Sequence, residues 1–265
     1  MNQNEIHIAS SKLFSFDIQF FNFSYNLIVT NSMLTTLIVC LFLMMMAAII
    51  GLNLSRSASE VPNKIQAFFE LVLGSLGGFI TGTMQVSKLP VLIYSISGFF
   101  FAFIAISSWV GLLPGVGQLF VDNGLEKVHL FRAPTTDLNV TVALSIIAFG
   151  LIQFQGIAAL RWGYLGKFIN FASPLAFVVG LLELISEMAR LLSFSLRLFG
   201  NIFAGEVMLM IVLSMSRIPN PYLDFIGIPF PIVIIALELA VALIQAYVFV
   251  ALFLVFSGLA KEEAH

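Results

Sequence analysis

From Leu27 to Leu52 the chain runs for about 25 residues without a charged side chain, enough at ~1.5 Å per helical residue to cross ~30 Å of hydrocarbon. A run of that length is either a bilayer span or the centre of a very large core. Composition decides between them, because 60% of the residues are hydrophobic, 10% are charged and the mean hydropathy is +1.04. A soluble domain carries about a quarter charged residues and cannot cover itself with fewer than half that share. The bilayer is therefore the solvent, and spanning segments must satisfy their own backbone hydrogen bonds. The expected fold class is an all-α polytopic membrane protein. A net charge of −2 excludes the electrostatic footprint of a nucleic-acid binder. Cys40 is the single cysteine and lies in an apolar run, which excludes a disulfide framework and a thiolate metal site. Residues 1–26 form a polar, aromatic segment without the basic-then-apolar layout of a signal peptide, and they are expected to be retained.

The pattern predicts about three upright spans, at Leu27–Leu52, Pro90–Leu113 and Leu138–Leu160. Ser55–Lys64 is a polar break, and Ile65–Met84, with Glu70 and its glycines, is expected to lie near the interface or to cross. Pro114-Gly115 closes a span, and Gly117–Asp137 reads as a polar loop. Beyond Arg161 the pattern changes: Pro174–Ser216 keeps helix-period apolar character without a further proline. At the usual rise it makes a helix of about 64 Å, twice the hydrocarbon thickness. A helix so long either breaks or tilts strongly. Pro219, Pro221, Gly227, Pro229 and Pro231 predict a turn, followed by a second long helix from Pro231 to Ala260 and a polar tail, Lys261–His265. The expected organisation is one membrane domain over residues 27–265, in which a slanted hairpin, 174–260, is the distinctive unit. Lysine and arginine near the span ends give a weak bias that places the C-terminus inside.

Ionisable residues inside spans are costly, so each is a functional candidate. The long helix carries Glu183, Glu187, Arg190, Arg197 and Glu206, and the last helix carries Glu238 and Gln245. At 100° per residue, Glu183, Glu187, Arg190, Arg197 and Asn201 fall within about 80° of one another, whereas Glu206 lies about 180° from Arg197. Glu206 and Glu238 are left as a separate acidic pair. Glu187 with Arg190 is equally readable as an i,i+3 salt bridge, and Glu183 as a solvated residue near the helix start. Arg197 is different. A guanidinium stays charged at any attainable pH, and holding it in a span costs at least ~2.5 kcal/mol, which a packing role does not need. Carboxyl groups change protonation and are suited to relaying protons.

Ser193-Phe-Ser-Leu-Arg-Leu-Phe-Gly-Asn-Ile-Phe-Ala-Gly-Glu206 resembles the signature of the F-type ATP synthase subunit a family. Trp109-Val-Gly-Leu-Leu-Pro114, Phe131-Arg-Ala-Pro-Thr-Thr-Asp-Leu-Asn-Val-Thr141 and Glu238-Leu-Ala-Val-Ala-Leu-Ile-Gln-Ala-Tyr-Val-Phe249 resemble further segments of it, in the family's order, from about Val61 onward. The resemblance implies that Arg197 is the stator arginine facing a rotating ring of c subunits, with Asn201 and Gln245 polar residues near it. It implies that Glu206 and Glu238 form the relay of one aqueous half-channel and that Glu183 is the acid of the other. Many bacterial members carry histidine where Glu238 stands. Glu187, Arg190, Ser193 and Asp137 are secondary candidates.

The implied function is a non-catalytic stator subunit that loads and unloads protons on the ring. Its implied partners are the c ring, b-type peripheral stalk subunits, the rest of the synthase and lipid. Neither a cofactor nor a metal is expected. The implied location is an energy-transducing membrane, a bacterial inner membrane in preference to a mitochondrial one. Two other classes fit an intramembrane polar seam: a stand-alone secondary transporter and a purely structural membrane subunit. Transporters usually show internal repeats with paired broken helices, and the sequence has neither.

Overall fold

A computed structural model describes residues 12–20, 23–56, 91–113, 120–122, 127–129, 131–160, 163–166, 173–215 and 229–262, with a few isolated positions besides. The elements are β1 (Lys12–Phe20), β2 (Phe23–Thr30), α1 (Asn31–Arg56), α2 (Val91–Leu112), β3 (Phe120–Asp122), β4 (Lys127–His129), α3 (Leu138–Leu160), α4 (Gly163–Gly166), α5 (Pro174–Met215) and α6 (Pro229–Glu262). Five of the described helices are long and apolar enough to cross a membrane. Large apolar side chains such as Leu175, Val179, Leu182, Ile232 and Ile244 are exposed along them, a surface that only lipid or another apolar body can cover.

The helix starts follow from local chemistry. Thr30 Oγ1 accepts the Met33 N–H at 3.3 Å and so caps α1. The first span therefore begins later than the uncharged run, and Leu27 belongs to β2. The β-branched stretch Ile28-Val29-Thr30 favours the strand, and the cap favours the helix immediately after it. Ser173 Oγ accepts the Ala176 N–H at 3.1 Å, and Pro174 fills the first helical position of α5. α6 opens at Pro229, expected in the turn, two residues before the expected helix start at Pro231. In a first turn the missing proline N–H has no intrahelical partner to lose. The rest of that turn, and nearly all of the expected interfacial segment 65–84, lie outside the described residues. Within that segment Gly74, Ser75, Gly77, Gly78 and Gly82 are helical.

α2 and α3 coincide with the predicted spans to within a residue or two. α5 runs unbroken for 42 residues, or ~63 Å. α6 has 34 residues, or ~51 Å. Two short antiparallel hairpins were not expected. β1 pairs with β2, placing Phe16 opposite Leu27 and Asp17 opposite Asn26. β3 pairs with β4 within the stretch read as a polar loop.

The chain forms two compact units, 1–44 with 103–141 and 198–245, and 45–102 with 142–197 and 246–265. In the first, Ile104, Leu198, Ile202 and Ala242 are buried, and Gly111 lacks the Cβ that would strike Ala133. The second is built on edge-to-face phenylalanines: Phe100 lies 5.6 Å from Phe249 and 5.3 Å from Phe253, and Phe194 lies 5.1 Å from Phe249.

Candidate functional site

In the first unit, the segment 131–137 brings a cation to the acids. A short 3₁₀ turn, Pro134–Thr136, precedes α3. Thr135 Oγ1 lies 3.1 Å from Ser108 Oγ of α2, and the Arg132 N–H donates to Thr35 Oγ1 of α1 at 3.3 Å. Held this way, Arg132 is 8% exposed, donates from Nε to Thr136 Oγ1 at 3.1 Å, and donates from Nη2 to Glu206 Oε2 at 3.1 Å. Glu206 on α5 therefore has a fixed counter-charge that is 74 residues away in sequence.

Glu238 on α6 is 4% exposed and lies within electrostatic reach of Glu206. Its Oε2 is buried with no hydrogen-bond partner among the described residues. The approach is close because position 205 has no side chain. A Cβ on Gly205 would lie 2.8 Å from Glu238 Oε1. Further along the same two helices, Asn201 Nδ2 donates to Gln245 Oε1 at 2.7 Å, while Gln245 Nε2 is buried without a partner among the described residues. Asp137 has a local role. Its Oδ1 accepts the Asn139 N–H at 2.9 Å as the cap of α3, and its Oδ2 accepts a short hydrogen bond from Ser32 Oγ.

In the second unit, Glu187 is 3% exposed and engaged by two donors. Its Oε2 accepts from Arg190 Nη1 at 3.0 Å and from Gln153 Nε2 of α3 at 3.1 Å. Arg190 also stacks on Phe256 of α6, its Cζ 4.1 Å from the ring centroid. The plain salt-bridge reading of this pair is the one the geometry favours. Glu183 is half-buried and engaged. Arg197 is exposed, and its Nη2 donates to Ser193 Oγ at 3.1 Å, one turn back on α5. No carboxylate pairs with it among the described residues.

Along α5, Arg197 and Asn201 are successive residues of one face, and Glu206 points the opposite way, ~180° from Arg197. Arg132 is the residue that sequence reasoning missed. Its sign was available: Glu206 lies within a span and has no basic residue three or four positions away, so any cation that pairs with it must come from another element.

Fold and clusters together define a polytopic α-helical membrane protein that carries ionisable groups inside its spans. Residues 32–258 match the family described as ATP synthase A chain. The chain is 34% identical over 209 residues to ATP synthase subunit a of Desulfotalea psychrophila, covering 77% of this chain and 75% of that one. It is 30% identical over 232 residues to ATP synthase subunit a of Geobacter sulfurreducens, with 86% of each covered. Subunit a of Nitratidesulfovibrio vulgaris is 31% identical over 223 residues, 82% of this chain. The chain belongs to the ATP synthase A chain family, that of the proton-translocating subunit of the membrane sector. The match begins at residue 32, within α1 and well before Val61.

Proposed function

We propose that this chain is the non-catalytic stator of an ATP synthase membrane sector, forming two aqueous half-channels that load and unload protons on a rotating ring of c subunits. The observation that carries the reading is Arg197. It is a permanent cation in a membrane-spanning helix, exposed on the surface of the chain, with a hydroxyl as its partner, while Glu187 further back on the same helix is taken by Arg190. A surface charge at that depth calls for an anion from outside the chain. A carboxylate carried by each ring subunit supplies one: its neutral form can face lipid, and its ionised form can rest beside Arg197. Guanidinium does not release its proton, so Arg197 also keeps the half-channels from short-circuiting.

Glu206 and Glu238 relay protons on one side and Glu183 on the other, while Asn201, exposed near Arg197, holds the buried Gln245 behind it. Each proton falling through the membrane potential contributes about 2.3 kcal/mol per 100 mV to rotation. The hairpin over 174–260 is the ring-facing part of a single membrane domain, 27–265. A strong tilt lets helices as long as α5 and α6 follow a curved partner. The partners are the c ring and b-type stalk subunits, and the location is a bacterial inner membrane.

The test is Arg197→Ala in the whole synthase. Expected are a complex that still co-purifies with its c ring and no ATP synthesis driven by an imposed proton gradient. Coupled synthesis at the normal rate in that variant overturns the proposal.

A further inference from the structure

We propose that Arg132 is a positioning residue of the proton relay: its ion pair with Glu206 limits the Glu206–Glu238 couple to one exchangeable proton and directs that proton to Glu238. The inference rests on the proton-translocating function proposed above.

Arg132 and Glu238 are buried and Glu206 is half-buried, so the net charge of the cluster is costly to leave unbalanced. Among the described residues, the charged groups around the couple are Glu206 on α5, Glu238 on α6, and Arg132 from the segment before α3. Asp137, the next acid along that segment, is turned to Ser32 and Asn139 and takes no part. Arg132 cannot lose its proton, so the cluster always holds one positive charge. With both carboxyls ionised the cluster carries a net negative charge, and with both protonated a net positive one. A single proton makes it neutral, which is the state that a poorly solvated site favours.

Geometry places that proton. Glu206 Oε2 is occupied by Arg132 Nη2 at 3.1 Å, whereas Glu238 Oε2 is buried with no hydrogen-bond partner among the described residues. Arg132 is itself fixed by Thr136 through Nε and by Thr35 through its backbone N–H, so the cation stays in place while the proton comes and goes. An arginine that only anchored the segment before α3 would have no need of an acid on α5.

The experiment compares Arg132→Gln, Arg132→Lys, Glu206→Gln and Arg132→Gln/Glu206→Gln in the whole synthase, measuring ATP-driven proton pumping in membrane vesicles per c ring retained. Arg132→Gln should lower pumping at least about tenfold, the cost of a misplaced transfer group. Arg132→Lys, which keeps the charge, should stay within about threefold of the unaltered chain. In the Glu206→Gln background the further change Arg132→Gln should cost less than about twofold, because the carboxylate it acts on has gone.

Three results overturn the inference: normal pumping by Arg132→Gln, equal loss in Arg132→Lys and Arg132→Gln, or losses that multiply in the double variant. If Arg132→Gln alone does not assemble, the comparison of Glu206→Gln with the double variant decides on the same criterion. Arg197→Ala in the same vesicles separates the two proposals. If it pumps normally, the functional reading falls. If it is inactive while Arg132→Gln is normal, only the role of Arg132 falls.

Discussion

Two arginine–glutamate pairs of nearly equal length sit in the two units of this chain, and they differ in what they leave over. Glu187–Arg190, at 3.0 Å, is closed: Gln153 adds a second donor to the same carboxylate, and Phe256 covers the guanidinium. Glu206–Arg132, at 3.1 Å, is open, because a second acid, Glu238, lies beside it with an oxygen that nothing in the described chain satisfies. A closed pair has spent its charges on each other and holds helices in place. An open one leaves a buried carboxyl oxygen unsatisfied, the feature the proposed relay requires. An ionisable residue in a span is therefore only a first filter. The second is whether its hydrogen-bonding capacity is exhausted.

The comparison is broken most severely at Glu238. Glu238→Gln should reduce gradient-driven ATP synthesis by roughly 100-fold, the low end of what a positioned proton-transfer group contributes. Glu238→His, which restores a titratable group, should recover part of that rate. Equal rates for Gln and His would remove proton exchange from this position. The matching change in the closed pair, Arg190→Leu, leaves Glu187 buried without its cation. It should destabilise the solubilised complex by on the order of 3 kcal/mol, read as an earlier thermal transition. Replacing both, Glu187→Leu with Arg190→Leu, should return most of that stability together with coupled synthesis. Loss of synthesis in a stable double variant would move this pair from scaffold to proton path.

Much of this contrast was legible in the residues, and the part that was not has a physical reason. α2 and α3 could be read closely because their ends are marked by proline, glycine or a capping Asp137. The opposite faces of Arg197 and Glu206 came from helical phase alone, since α5 has no break. The β1–β2 hairpin was missed although Phe14, Phe16, Ile18 and Phe20 alternate with Ser15, Asp17 and Gln19, a period of two that a search for long apolar runs passes over. Phenylalanine is common throughout the apolar runs, and nothing local marks Phe100, Phe194, Phe249 and Phe253 as the ones that are buried. Arg132 falls in the stretch that reads as a polar loop, and its partner is 74 residues away; no local pattern encodes a pairing between elements.

A smaller effect is expected at Gly205, the contact that brings Glu238 against α5. A Cβ there would meet Glu238 Oε1 at 2.8 Å and Cδ at 2.9 Å, so Gly205→Ala must push the carboxyl aside. Overpacking costs about 1–3 kcal/mol, and part of it should appear as a roughly fivefold loss of pumping. Shortening the acid in the same chain, Gly205→Ala with Glu238→Asp, should relieve the clash and regain rate over Gly205→Ala alone. A double variant no faster than the single would show that the close approach is incidental to the relay. No such sensitivity is expected at Gly200, where an added Cβ meets nothing within 4 Å.

The mildest change separates a polar contact that only joins two helices from one that carries protons. Asn201 donates to Gln245 Oε1 at 2.7 Å, and Gln245 is 3% exposed with its Nε2 already unpartnered among the described residues. Asn201→Ala leaves the buried amide with no partner on either end, a cost of about 1–3 kcal/mol against stability. Neither side chain titrates, so neither can pass a proton by changing its own charge. The loss in coupled synthesis should therefore stay within about threefold and should not deepen when Gln245→Ala is added, because the second change removes the group that the first had orphaned. A far larger loss in Asn201→Ala, in a complex of normal stability, would place this amide pair with Glu238 on the open side of the comparison.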